Sequence, residues 1–228
     1  MSTKKIAIDG PAGAGKSTIA KRLAVKLGYI YVDTGAMYRA VALSCIRAGI
    51  STDDEAGVTA QLKNVSIDIA YEGGTQQIYL CGENVSESIR TPEVSMGASN
   101  VSRFLGVREM LVDYQRKIAE KHNVIMDGRD IATKVLPDAD AAVFLTADVT
   151  ERAKRRYDEL IEKGETVSFD DVLEDMKRRD KNDSTRANSP LVKAENAVLA
   201  DTTGKTLDES EALVFNIIRE KIGEIKNV

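Results

Sequence analysis

Histidine occurs once in these 228 residues and cysteine twice. The lone His122 stands at the polar end of a helical pattern, so it reads as a surface residue and a histidine base is set aside. Cys45 lies in an apolar helical stretch and Cys81 at the end of a strand pattern, and both read as free core thiols rather than a disulfide. No stretch approaches the run of about 18 apolar residues that a membrane span needs, so no membrane role is expected. Met1-Ser2-Thr3-Lys4-Lys5 runs straight into the first strand pattern without an apolar signal segment, and a cytoplasmic location is expected. There is also no basic excess: 32 Lys and Arg stand against 36 Asp and Glu, a net charge of −4. That balance argues against binding a nucleic-acid polymer, so any anion must be held locally. Internal repeats and low-complexity tracts are missing too. What remains, 43% apolar and 30% charged residues, is the composition of an ordinary soluble globular chain, long enough for one sizeable core with a smaller inserted module.

Against these absences one motif stands out. Gly10, Pro11, Ala12, Gly13, Ala14, Gly15, Lys16, Ser17 and Thr18 match the phosphate-cradling pattern G-x-x-x-x-G-K-[ST]. The run Lys5-Ile6-Ala7-Ile8 before it reads as a buried parallel strand. Ile19 to Leu27 after it reads as a helix with one apolar stripe, ending at Gly28. Glycines at 10, 13 and 15 let the chain turn tightly, so that successive N–H groups and the helix N-terminus point at a β-phosphate. Lys16 then supplies a cation to the β- and γ-phosphates and Ser17 a hydroxyl to Mg²⁺. The motif therefore predicts a chain that binds a nucleoside triphosphate.

Three further apolar runs, Asn123 to Asp127, Ala141 to Thr146 and Ala197 to Asp201, read as parallel core strands. Helical patterns lie between and after them, at Val107 to Lys121 and Asp208 to Ile225. Alternating strands and helices predict an α/β fold with a central parallel sheet, helices on both faces, and ligands at the carboxyl ends of the strands.

One region breaks the rhythm. Ser66 to Tyr71 alternates apolar and polar residues, a Gly73-Gly74 turn follows, and Ile78 and Leu80 alternate in a return strand, which predicts a β-hairpin. Gly82-Glu83-Asn84 reads as a second turn. Residues 51–90 thus read as a small antiparallel module inserted in the α/β core, either decoration or a substrate-side element. In the helical pattern Thr150 to Lys163, Arg152, Arg155 and Arg156 share a face. They either clamp phosphate or belong to a solvated face with Glu151, Asp158, Glu159 and Glu162. Ser168 reads as a helix cap, and the run Lys177 to Arg186 as a polar segment between helices, suited to a mobile cover.

The rest of the chain bears on where a γ-phosphoryl group would go. No Asn-Lys-x-Asp tetrad of guanine-reading switches occurs, and the acidic balance disfavours polymer-acting motors, which leaves transfer to a small acceptor. A phosphate monoester acceptor is mostly dianionic at neutral pH, its second pKa being about 6, so it needs no base. Positioning and charge neutralisation then suffice. The rivals are a kinase for another monophosphate or a metabolite hydroxyl, and a module that senses ATP for a partner protein.

Several tracts read together resemble bacterial-type cytidylate kinase, a P-loop nucleoside monophosphate kinase family. They are Ile8 to Thr18, Asp33-Thr34-Gly35-Ala36-Met37-Tyr38-Arg39, Ile89-Arg90-Thr91-Pro92-Glu93-Val94, Val107-Arg108, Asp127-Gly128-Arg129-Asp130 and Arg179 to Arg186. The resemblance covers nearly the whole chain. It implies a three-layer P-loop kinase fold forming a single domain, with a core of 1–50, 91–150 and 187–228, a monophosphate-binding insertion at about 51–90 and a lid at about 151–186. It further implies ATP-dependent phosphorylation of CMP and dCMP to the diphosphates with Mg²⁺, and a monomer acting on small molecules. Carried over by position, Ser99, Arg108 and Asp130 match residues that hold the cytosine ring. Thr34, Arg39 and Arg129 match the monophosphate side, and Asp183 with Arg179 the sugar contacts. Arg186 lies near base or phosphate. Lys16, Arg129 and the lid arginines Arg152, Arg155 and Arg156 take the catalytic positions.

These assignments also make chemical sense. Cytosine offers an exocyclic amine beside ring acceptors, which suits a carboxylate at Asp130 with donors at Arg108 and Ser99. Asp127 at its strand end either acts through water on the metal or shapes a turn. Many relatives read Asp-Ser-Gly where this chain has Asp33-Thr34-Gly35, and Gly-Lys-Gly-Thr where it has Gly15-Lys16-Ser17-Thr18. Both departures keep the hydroxyl chemistry.

Overall fold

In the computed structural model, which describes residues 3–72 and 75–223, the chain runs β1 (Lys5–Asp9), α1 (Lys16–Leu27), β2 (Ile30–Asp33), α2 (Thr34–Arg47), α3 (Glu55–Gln61), β3 (Ile67–Glu72), β4 (Thr75–Leu80), β5 (Glu83–Asn84), α4 (Pro92–Val101), α5 (Leu105–Lys121), β6 (Val124–Gly128), β7 (Ala141–Thr146), α6 (Val149–Glu162), α7 (Phe169–Thr185), β8 (Val198–Asp201) and α8 (Leu207–Ile222). Two units result, Met1–Ile30 with His122–Val228, and Tyr31–Lys121.

The first unit is built on parallel strands in the order β6-β1-β7-β8. β1 lies between β6, with Ile8 opposite Asp127, and β7, with Ile8 opposite Val143. Ile6, Ile8, Ile125, Met126 and Val143 are fully buried, which is why these strands are continuous apolar runs rather than alternating ones. α1 packs on β6 and α8, and α8 on β7. α8 opens with a capping box in which Thr206 and Glu209 satisfy each other's backbone N–H groups. α6 and α7 pair with each other over Ala153, Val172 and Met176, and the Tyr157 and Phe169 rings meet edge to face.

Two expectations need correcting here. β8 is an edge strand with Leu199 56% exposed, not a core strand, because an apolar run does not reveal how many neighbours it has. The strand β2 was not read from the sequence at all. The polar run Lys177 to Arg186 is not an interhelical segment, since α7 continues to Thr185. Its polar half is carried by ion pairs one turn apart, Lys177 to Glu174 and Arg178 to Asp175, and ends on the buried Asp183 and Arg186. Ile225 at the end of the last helical pattern lies outside the described residues.

In the second unit, Met37, Ala40 and Val41 of α2, Val58 of α3, Ile67, Ile78 and Leu80 of the sheet, Val94 and Val101 of α4, and Val107 and Leu111 of α5 share one buried cluster. β3 and β4 pair antiparallel as expected, from Ile67 opposite Leu80 to Glu72 opposite Thr75. The Gly73-Gly74 turn lies outside the described residues. The second turn falls one step earlier than expected: Cys81 (φ 50°) and Gly82 (φ 84°) form it, and Glu83-Asn84 is a third strand on β4. Two consecutive left-handed residues match the twist of the flanking strands. Cys81 is consequently exposed rather than a core thiol, while Cys45 is buried, and both are free.

Truncating Ile125→Ala should cost about 2–5 kcal/mol of unfolding free energy by urea titration, whereas Leu199→Ala should cost under about 1 kcal/mol. Equal losses would show that β8 is not an edge.

Candidate active site

The loop between β1 and α1 is shaped by what its glycines permit. Gly10 has φ 150°, and a side chain there would run into the carbonyl oxygen of Leu145 in β7. Gly15 is the left-handed N-cap of α1 (φ 84°) and has no side chain to occupy the helix N-terminus. Lys16, 5% exposed, turns back so that Nζ donates to the Pro11 carbonyl at 2.7 Å. Burial, with the Arg129 charge, pushes its pKa down to about 7 against the pull of Asp127, Asp183 and Asp9. Ser17 Oγ donates to Asp127 Oδ2 at 2.8 Å, bringing together the two residues expected at the metal. Two hard oxygen donors side by side suit Mg²⁺. Among the described residues there is no cluster of three or more His, Cys, Asp or Glu that could cage a metal by itself.

Asp9 was not singled out from the sequence, yet it organises the turn after β6. Its carboxylate accepts from the Ile131 and Ala132 N–H groups, each at 2.8 Å. Burial raises its pKa to about 6, although those two hydrogen bonds favour the ionised form. The turn so fixed carries Arg129 and Asp130. Arg129 Nε donates to Asp183 Oδ2 at 2.7 Å. Burial alone would raise the Asp183 carboxyl, but the guanidiniums of Arg129, Arg186 and Arg179 hold it below the usual carboxylate range. Burial and Arg129 in turn lower Arg179. Arg186 Nε donates to Ser189 O at 2.6 Å, and its Nη2 lies 4.0 Å from the buried Asp130. Arg129, Asp130, Arg179, Asp183 and Arg186 thus form one network with Lys16.

The three arginines of α6 divide. Arg152 is buried and donates to Ala147 O and Ala12 O at 2.9 Å each and to Asp180 Oδ2 at 2.6 Å. Arg155 and Arg156 are both half-buried, the first reaching Thr202 O at 3.2 Å and Glu151, the second pairing with Glu159 at 3.1 Å.

The second unit holds Thr34, Arg39, Ser99 and Arg108. Asp33 caps α2, accepting from Ala36 N–H at 2.8 Å through Oδ1 and from Arg39 at 2.9 Å through Oδ2. Thr34 is buried just after it. Arg108 is buried over the Tyr38 ring and donates to Ser102 O at 3.1 Å, while Ser102 Oγ donates to Ser99 O at 2.8 Å. Arg39 Nε and Ser99 Oγ are both buried without a hydrogen-bond partner among the described residues, which native structures rarely tolerate without a ligand or water. Asp9, Asp33 and Asp180 stood in the sequence within tracts that carry the family resemblance, but without a role of their own.

A glycine-lined loop between strand and helix, with a buried lysine and a serine at the start of α1 bonded to an aspartate near the end of β6, goes with the fold of a P-loop kinase. A model of the family described as cytidylate kinase matches residues 6–220. A protein of Caldanaerobacter subterraneus subsp. tengcongensis named cytidylate kinase is 53% identical over 224 residues, 98% of each chain. One of Bacillus licheniformis with the same name is 49% identical over 217 residues, 95% of this chain and 96% of that one. The chain belongs to the cytidylate kinase family. A crystal structure of an uncharacterised protein from Eubacterium ventriosum shares the fold at a TM-score of 0.55 and 16% identity, covering 96% of this chain and 99% of the other. No helix among the described residues is long and apolar enough to cross a membrane.

Because the unfolded lysine keeps its proton to about pH 10.5 and the folded one loses it near 7, the unfolded state binds more protons in between, and the Lys16 contribution makes stability rise with pH across that window. Urea unfolding from pH 7 to 9 should therefore show a shallower rise for Lys16→Met than for the parent. Parallel pH dependences would show that the ammonium is not desolvated.

Proposed function

We propose that this protein transfers the γ-phosphoryl group of ATP to CMP and dCMP, giving CDP and dCDP, by in-line transfer without a general base. The observation that carries the reading is the buried Lys16 beside the Ser17–Asp127 pair, at a loop whose backbone N–H groups suit phosphate. The names of the relatives, at about half identity over nearly their whole length, support cytidine monophosphates as acceptors.

Residues 10–18 would hold the triphosphate, with Lys16 on the β- and γ-phosphates. Ser17, and Asp127 through water, would hold Mg²⁺, which when bound supplies charge neutralisation on those phosphates. Thr34, Arg39 and Arg129 would take the acceptor phosphate, and Arg179 and Asp183 the sugar. Asp130, Arg108 and Ser99 would read the base, with Arg186 beside them. A uracil would set a carbonyl against Asp130, a mispairing worth about 1–3 kcal/mol and so a clear but incomplete preference. Residues 51–90 would act as the acceptor-side insertion and 151–186 as a lid, with Arg152, Arg155 and Arg156 contributing charge during transfer. An exposed His122 fits the absence of a base, because the acceptor phosphate is already ionised.

Steady-state assays with ATP and CMP, dCMP, UMP, AMP or shikimate should show the highest kcat/KM for the two cytidine nucleotides. A preference for AMP or shikimate overturns the base assignment, and tight ATP binding without acceptor-dependent ADP formation would point to a sensor. Arg108→Met should raise the KM for CMP by more than tenfold while the KM for ATP stays within about twofold. Comparable rises in both would remove Arg108 from the base site.

A further inference from the structure

Tyr71 and Gln76 face each other across the β3–β4 hairpin as one cross-strand pair. Both side chains hydrogen-bond to the backbone of β2. Tyr71 Oη donates to Tyr31 O at 2.9 Å. Gln76 Oε1 accepts from Asp33 N–H at 2.8 Å, and its Nε2 donates to Asp33 O at 3.4 Å. Because directly opposed residues in an antiparallel pair sit at fixed separation, the hairpin grips β2 at two points spaced by its own register. The apolar anchor of the hairpin lies elsewhere along it, at Ile67, Ile78 and Leu80.

Asp33 passes that grip on. Its carboxylate accepts from Ala36 N–H with one oxygen and from Arg39 with the other, and Arg90 stands 3.7 Å away. Gly35 leaves room for the arrangement, since a side chain there would come within 3.2 Å of Arg39 Nη1 and 3.3 Å of Asp33 Oδ1. Arg39 is held in this way while its buried Nε has no hydrogen-bond partner among the described residues. A guanidinium fixed on one edge, with a desolvated donor left over, is prepared for an oxyanion.

We propose that the antiparallel module is a clamp for the acceptor phosphate, in which Tyr71 and Gln76 are positioning residues that set the Asp33 backbone and, through its carboxylate, the Arg39 guanidinium. The proposal rests on the reading above that Arg39 takes the monophosphate. It assigns the module a function on the substrate side rather than decoration.

The full-length chain carrying Gln76→Leu or Tyr71→Phe is assayed with ATP and CMP and melted in parallel. Gln76→Leu should raise the KM for CMP about tenfold, the effect of losing a paired polar contact. Tyr71→Phe, which keeps the ring, should raise it severalfold. The KM for ATP should stay within twofold in both. In an Arg39→Met background Gln76→Leu should add almost nothing to the KM for CMP, because a positioning residue acts only through the group it positions. An unchanged acceptor KM, equal rises for both substrates, or additive effects in that background would overturn the clamp. The parent's own acceptor preference decides the functional reading. The clamp is judged by the same KM split with whichever monophosphate the parent uses, and a parent that uses none overturns it too.

Discussion

Lys16 is a cation taken out of water, and the arrangement of the first unit answers that fact. Desolvating an ammonium costs several kcal/mol even after relaxation, and the neighbouring Arg129 adds to the cost. The Pro11 carbonyl and the carboxylates of Asp9, Asp127 and Asp183 offset only part of it, so the lysine holds its proton far less firmly than a solvated one. Asp9 and Asp127 are where they are because of sheet register: β1 and β6 run parallel with Ile8 opposite Asp127 and Asp9 opposite Gly128, so the two aspartates sit one position apart at the carboxyl ends of neighbouring strands, while Asp183 comes from α7. A phosphate anion entering that loop would complete the neutralisation, which makes triphosphate binding and Lys16 protonation two sides of one equilibrium.

The same device recurs at other strand ends. Asp9 receives two backbone N–H groups from the turn after β6, Asp33 receives Ala36 N–H at the start of α2, and Asp201 receives Thr203 N–H after β8. At Asp9 and Asp33 the carboxylate satisfies donors that a chain leaving a sheet would otherwise bury unpaired, whereas Asp201 and Thr203 meet at the exposed end of β8. Asp9 and Asp33 also have reach beyond that local task, the first fixing the turn that bears Arg129 and Asp130, the second holding Arg39. Aspartate suits both tasks because its two oxygens can serve two partners in different directions.

How much of this was legible depended on whether a residue's role is local. The loop at Gly10 to Thr18 could be read because glycine spacing dictates backbone shape directly, and β1, β6 and β7 because burial on both faces demands apolar runs. The hairpin showed through alternation. Roles that depend on a distant partner did not show. Nothing in Val198–Asp201 tells an edge strand from a central one. The polar half of α7 lacks an apolar stripe, being carried instead by ion pairs and by Asp183 reaching Arg129, 54 residues away in sequence. Tyr71 counted only as one more member of an alternating strand, and Gln76 drew no reading, because their contacts to Tyr31 and Asp33 join residues some 40 positions apart. The candidate site was visible through its resemblance to a family, while the acids that hold it in place were visible only in three dimensions.

The three arginines of α6 show why spacing alone cannot rank equals. Arg156 and Arg155 are both half-buried, the first paired with the exposed Glu159 and the second at Thr202 O. Arg152 lies close enough to the start of α6 for its guanidinium to fold back over the N-terminal turn, where it reaches Ala147 O, Ala12 O and Asp180 at once. It therefore ties the phosphate loop to both α6 and α7, and Gly13 lets that loop approach the Arg152 backbone and Met176 closely. If α6 and α7 move as a lid, they cannot do so independently of the loop. Each charge-assisted hydrogen bond broken costs about 1.5–3 kcal/mol, so large opening is opposed unless new partners replace them. Oxygens of a bound triphosphate are acceptors of the right charge to do so, and an exchange of Ala12 O for phosphate at Arg152 would link lid position to occupancy of the loop.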